Sequence, residues 1–202
     1  KALAASASVP GAIGPTIIDS RKCSWSKFKN AVDYEPFETP LEKYHIWDGG
    51  VYENLGLEAL FDGFKIKRKE VKFLIVSDAS APLNIIKKKF FSAGGNPIKR
   101  LIDITTDQER ALRSRALINF LESEYKNNGN CHGVLIRMGN TVDFINNQSR
   151  KKVNFSGKTF DKETVTELLN FPTTLRKLTE DEFESLLIHG WETSKATTEG
   201  YT

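Results

Sequence analysis

Apolar side chains along this chain gather into a few dense runs separated by longer polar stretches. The densest is VKFLIVSDAS, residues 71–80, an almost unbroken apolar run that closes on small polar residues. Such a run predicts a central strand buried on both faces, with its polar end at a loop where chemistry can sit. CHGVLIRM, residues 131–138, predicts another strand. Between the two, Ala111, Leu112, Arg115, Ile118, Leu121 and Glu122 recur at helical spacing. They predict a long helix over about 104–124 with one apolar and one charged face.

The flanking regions carry weaker patterns. KALAASASVPGAIG, residues 1–14, opens with helix formers and small residues and stops at Pro10-Gly11, which predicts a short, closely packing helix and a turn. Residues 19–42 are polar and aromatic without a period and are punctuated by Pro36 and Pro40, so they predict an irregular insert. Tyr44, Ile46 and Trp47 make a short strand, and NLGLEAL, residues 54–60, reads as a helix start with Asn54 as its cap. Near the end, Phe171-Pro172-Thr173-Thr174-Leu175 leads to a helix opening at Thr179, where Thr179-Glu180-Asp181-Glu182 spells a capping box. Alternation of strands and helices predicts an α/β layered sheet.

Composition narrows the class without choosing a function. With 202 residues, 39% of them apolar and 27% charged, the chain can bury a core and is neither disordered nor membrane-spanning in character. A net charge of +3 is too small to argue for nucleic acid, which needs a concentrated basic face. Cys23 and Cys131 stand far apart and lack metal-ligand spacing, so neither a disulfide framework nor a zinc site is expected. No secretory leader pattern opens the chain, and the absence of an initiator Met suggests the downstream portion of a longer polypeptide. The expected location is cytoplasmic or at a membrane periphery.

The candidate chemistry centres on WDGGV. Asp-Gly between apolar runs is a common tight-turn signal and needs no further explanation. The residues after it are helical in character, however, and a carboxylate at a strand-to-helix corner of such a sheet often faces a ligand crevice. Gly49 and Gly50 would let the backbone bend there and keep space free beside Asp48.

Taken in order, ALAASASVPGA, WDGGVYENLGLEAL and FLIVSDAS, with FPTTLRKLT and LLIHGWETSKA at the far end, resemble the C-terminal half of the catalytic domain of patatin-like phospholipases. That resemblance spans nearly the whole chain. It implies a three-layer fold around a central mixed sheet, with residues 179–202 as closing helices. It also implies hydrolysis of phospholipid or other lipid esters by a Ser-Asp dyad, without histidine, cofactor or metal. Asp48 matches the dyad aspartate, and Gly49, Gly50 and Asn54 would shape its site. The dyad serine belongs on a Gly-x-Ser-x-Gly elbow, which this chain lacks. The elbow and the glycine-rich oxyanion loop are expected in a segment of the same protein before Lys1, so the chain alone should be inactive. The alternative is a patatin-like module that binds lipid or a partner without catalysis.

Other candidates are weaker. Ser6 and Ser8 lie in Ala-Ser-Ala-Ser rather than a glycine-flanked elbow, which favours packing or capping. His45, His132 and His189 allow a Ser-His-Asp triad, although His189, before Gly190, reads as a helix-end histidine. Asp78 closes the strongest strand, where a turn or cap role is favoured over lining a crevice. Lys87, Lys88 and Lys89 between apolar flanks read as a solvated helix face or as a contact with anionic lipid. Residues 65–69 read as a basic loop.

Overall fold

The structure is a computed structural model that describes residues 5–8, 14–29, 33–68, 70–83, 97–172, 174 and 176–202. Among the described residues helix makes up 42% and strand 16%, so helices carry most of the framework. Among the described residues the strands form three two-stranded sheets, and the single central mixed sheet is not formed. The chain divides into two compact units, Lys1–Asn54 with Lys88–Thr106 and Leu55–Lys87 with Asp107–Thr202.

In the first unit, β1 (Thr16–Asp19) pairs antiparallel with β4 (Lys43–Ile46) from Thr16↔Ile46 to Asp19↔Lys43. A 3-10 turn, Ser20–Lys22, follows β1 and is capped by the Asp19 carboxylate. The Arg21 side chain bonds that carboxylate at 3.0 Å and holds its pKa at about 2. Ser20 is buried, and its hydroxyl donates to the carbonyls of Leu41 and Glu42 at 2.7 and 2.9 Å, which ties the turn to the approach of β4.

The segment expected to be an irregular insert contains a second antiparallel pair, β2 (Ser26–Phe28) with β3 (Tyr34–Pro36). Its outward residues explain why no period announced it. Phe28 and Tyr34 are both exposed and pack on each other as a tilted pair at 4.6 Å between ring centres, so no buried face imposes alternation. Of the helix expected over 1–14, the described part shows Ala5 and Ser6 helical, and Pro10-Gly11 lies outside the described residues.

The second unit is built on β5 (Phe73–Asp78) and β6 (His132–Arg137), paired in parallel from Phe73↔His132 to Asp78↔Arg137. Parallel neighbours need a crossover, and α1 (Pro97–Lys126) lies on it, its residues from Asp107 onward belonging to this unit. The described helix already runs from Pro97, ahead of the expected start near residue 104. Leu74 and Val76 of β5 meet Leu117 and Leu121 of α1, with Leu57 and Phe61 completing the core. The inward face of α1 is therefore Ser114, Leu117 and Leu121, while Leu112 and Ile118, expected on the apolar face, are exposed. The long helix carries apolar residues on more than one side, so spacing alone does not select its buried face.

Strand β5 is covered on one face, not two. Leu74, Val76 and Asp78 are buried, whereas Phe73 and Ile75 are 43% and 60% exposed, because their side chains point away from α1. Residues 54–60 do not form the expected helix either. Gly56 adopts φ +68°, a left-handed conformation that breaks a helix, and only one turn closes beyond it, with Phe61 N–H donating to the Leu57 carbonyl at 2.8 Å.

Three further helices complete this unit. Two, α2 (Val142–Gln148) and α3 (Lys162–Leu169), arise in a stretch without apolar period and are announced only by their caps, Thr141 and Asp161. The last, α4 (Glu180–Tyr201), is one continuous helix rather than several closing ones. Its inner face is largely polar, with His189, Glu192, Thr193 and Thr197 buried beside Ala196. No helix among the described residues is long and apolar enough to cross a membrane.

The capping box at the start of α4 is present as expected: Glu182 N–H donates to Thr179 Oγ1 at 3.3 Å and Thr179 N–H donates to Glu182 Oε2 at 2.8 Å. Arg176 adds two contacts to the same carboxylate, at 2.6 and 2.8 Å. Arg176 first, and the Thr179 N–H second, hold the Glu182 pKa at about 2, against an ordinary 4.5. Because the folded value is depressed, the stabilisation is fully present above pH about 4.5 and lost as pH falls toward 2. Amide protection at Thr179 and Glu182, taken relative to the intrinsic exchange rate at each pH, should fall across that window. Glu182→Gln should show a flat profile there; an unchanged wild-type profile would disprove the linkage.

Candidate active site

Asp48 stands between the end of β4 and a 3-10 turn, Gly49–Val51. The corner thus runs from strand to a single tight turn, not to a helix. Asp48 caps that turn: its backbone is extended at φ −55° and ψ 127°, and Oδ1 accepts from Gly50 N–H at 2.7 Å. One carboxylate oxygen is therefore fixed by a peptide N–H. Among the described residues no donor bonds the other, Oδ2, and the residue is half-buried.

Asp48 is also held from behind. Its N–H donates to the Ser8 carbonyl at 3.1 Å, and Ser8 N–H in turn donates to the Ala5 carbonyl at 3.2 Å. Ser8 is 1% exposed, with its hydroxyl 3.0 Å from that of Thr16 on β1. The small residues of the Ala-Ser-Ala-Ser stretch thus let a backbone carbonyl reach the Asp48 peptide. Ser8 has the packing role favoured from its sequence setting, and Ser6 is exposed.

The two glycines do different work. A Cβ at Gly50 would sit 3.1 Å from Asp48 Oδ1 and 3.0 Å from Asn54 Oδ1, so a side chain there would push on the carboxylate it supports. At Gly49 a Cβ would meet nothing within 4 Å, which leaves open space next to the carboxylate. Asn54, with no helix to cap, closes the far side of Gly50.

The remaining candidates separate clearly. His45 and His132 are exposed on β4 and β6. His189 lies inside α4, not at a helix end, and is 2% exposed; its Nε2–H donates to the Met138 carbonyl at 2.6 Å and anchors α4 to the chain beyond β6. Among the described residues no histidine is hydrogen-bonded to a carboxylate. Cys23 and Cys131 are both free thiols. Lys87, Lys88 and Lys89 lie outside the described residues.

Asp78 is buried at the carboxyl end of β5 and caps the following turn, accepting from Ser80 N–H at 3.2 Å. It also pairs with Arg110 of α1 at 3.3 and 3.4 Å, and Arg110 reaches Asp107 as well. Burial opposes the Arg110 charge, yet its hydrogen bond to the Asp107 carboxylate and the field of Asp78 raise its pKa above the ordinary value. Nothing local in the sequence joins Asp78 to Arg110; the contact needs the packing of α1 on β5.

Compared with family models, curated proteins and solved structures, the chain matches none. The functional reading therefore rests on the residues themselves.

Proposed function

We propose that this chain supplies the aspartate of a serine lipid acyl hydrolase, acting on phospholipid or related lipid esters, with Asp48 as the base. The observation that carries the reading is the state of its carboxylate: Oδ1 is held by Gly50 N–H while Oδ2 is unbonded among the described residues, beside the open space at Gly49. A carboxylate so oriented accepts the proton of a serine hydroxyl as that hydroxyl attacks an ester carbonyl, which is nucleophilic catalysis by a positioned base. The order of the Ala-Ser-Ala-Ser and Asp-Gly-Gly stretches, which resembles that of patatin-like phospholipases, supports the same reading.

The nucleophile comes from a second segment of the same protein, because these residues contain no Gly-x-Ser-x-Gly elbow. Oxyanion donors come from that segment too, and their electrostatic stabilisation is commonly the largest catalytic contribution. The reading is tested by measuring fatty-acid release from phosphatidylcholine, and serine labelling by a fluorophosphonate, for the chain alone and for the chain joined to its elbow-bearing segment. The chain alone should be silent and the joined protein active. Asp48-dependent turnover by the 202 residues alone would overturn the division of labour. A joined protein that binds vesicles but neither hydrolyses nor labels would establish the non-catalytic lipid-binding module instead.

A further inference from the structure

A second polar site lies in the unit built on β5 and β6, at the carboxyl ends of those strands. In parallel sheets this is where ligands bind, because the loops diverge there and leave a crevice. The register pairs Asp78 with Arg137, and alternation along each strand puts both in the row that holds Leu74, Val76, Gly133 and Leu135. Beyond the last apolar layer of that row a cleft of about 400 Å³ opens, bounded by Arg110, Ser114 and Arg115 of α1 and by Asn140 after β6.

The polar groups of the cleft are unequally satisfied. Asp78 is occupied by Arg110 and Ser80 N–H, and Arg110 by Asp78 and Asp107. Arg115 and Arg137 have no carboxylate partner among the described residues. Most telling is Ser114: it is 1% exposed, its Oγ has no hydrogen-bond partner among the described residues, and it lines the same cleft. A buried hydroxyl without a partner is costly, and native structures seldom keep one without a use. Two unpaired guanidinium groups and a hydroxyl donor in one concave site match the several acceptor oxygens of a phosphate. Ala111, Pro82 and Leu169 add an apolar wall suited to a short organic body.

The geometry points to a phosphate-monoester site in this cleft, in which Arg115, Arg137 and Ser114 hold the phosphate while the Asp78–Arg110 pair fixes the floor. It is independent of the acyl-hydrolase reading, since none of these residues belongs to the Asp48 corner. The monoester has two possible sources, a free metabolite-sized phosphate or the headgroup of phosphatidic acid.

Titration calorimetry of the full chain with inorganic phosphate and with glycerol 3-phosphate, at matched ionic strength, tests the free source. Flotation with phosphatidylcholine vesicles, with and without phosphatidic acid, tests the lipid source. Saturable binding in either arm is expected, weakened about tenfold or more by Arg137→Gln and by Arg115→Gln, the usual weight of one charge-assisted hydrogen bond. Ser114→Ala should also weaken binding, while leaving the ligand-free melting temperature unchanged or higher, because it removes an unsatisfied group. Arg115 is exposed on its helix, so its variant keeps the test valid should Arg137→Gln disturb the strand. Absence of saturable binding in both arms, or binding untouched by the two arginine variants, would overturn the proposal.

Discussion

Replacing Asp48 by Asn is expected to lower ester turnover of the joined enzyme about 100- to 10,000-fold, the usual span for loss of a general base. The substitution isolates proton acceptance from architecture. Asn can keep its carbonyl oxygen on Gly50 N–H in place of Asp48 Oδ1, and the backbone bond from residue 48 to the Ser8 carbonyl does not involve the side chain. The amide that replaces Oδ2 cannot take a proton from a serine hydroxyl. Melting temperature and vesicle binding should therefore stay close to wild type while turnover collapses. Were Asp48→Asn to retain near-normal turnover with an intact transition, and His189→Gln to abolish it, the two-residue mechanism would fail. The Asp-Gly-Gly corner would then be only a capped turn.

Local chemistry was legible in the sequence, and long-range contact was not. The Asp48 corner depends on residues next to one another, and its carboxylate, its tight turn and the side-chain-free space at Gly49 come from that short stretch. The capping box at Thr179 is equally local and is formed as its spelling predicts. The strands over 73–78 and 132–137 were visible because apolar runs bounded by polar residues suit few other structures. What the runs could not show is which face is covered. Phe73 and Ile75 look like core in the sequence and are exposed, since coverage depends on where α1 lies. The Ser8 carbonyl behind Asp48 and the Arg110 guanidinium on Asp78 are likewise products of packing, and no spacing rule reaches them. At Gly56 a single left-handed residue overruled a stretch whose other residues favour helix.

The same packing makes Phe61→Ala the substitution with the largest expected cost to stability. Phe61 is 2% exposed and sits where three parts of its unit meet: the turn from Leu57, the inner row of β5 and the buried face of α1. Its ring lies 5.2 Å from that of Phe120, a tilted aromatic pair that contributes beyond simple area. Its backbone bridges Ile66, so the chain around it has little freedom to collapse into the space a truncation leaves. Removing the ring loses both its transfer free energy and the contacts across the resulting cavity, about 3–5 kcal/mol for Phe→Ala in a core. Domains of ordinary stability hold about 5–15 kcal/mol in all, so the variant should unfold at much lower denaturant with the slope of the transition nearly unchanged. Phe64, three residues on and 90% exposed, provides the contrast: Phe64→Ala should stay within about 0.5 kcal/mol of wild type. If the two variants shifted the urea midpoint equally, the cluster of Leu57, Phe61, Leu117 and Leu121 would not be the core that holds β5 against α1.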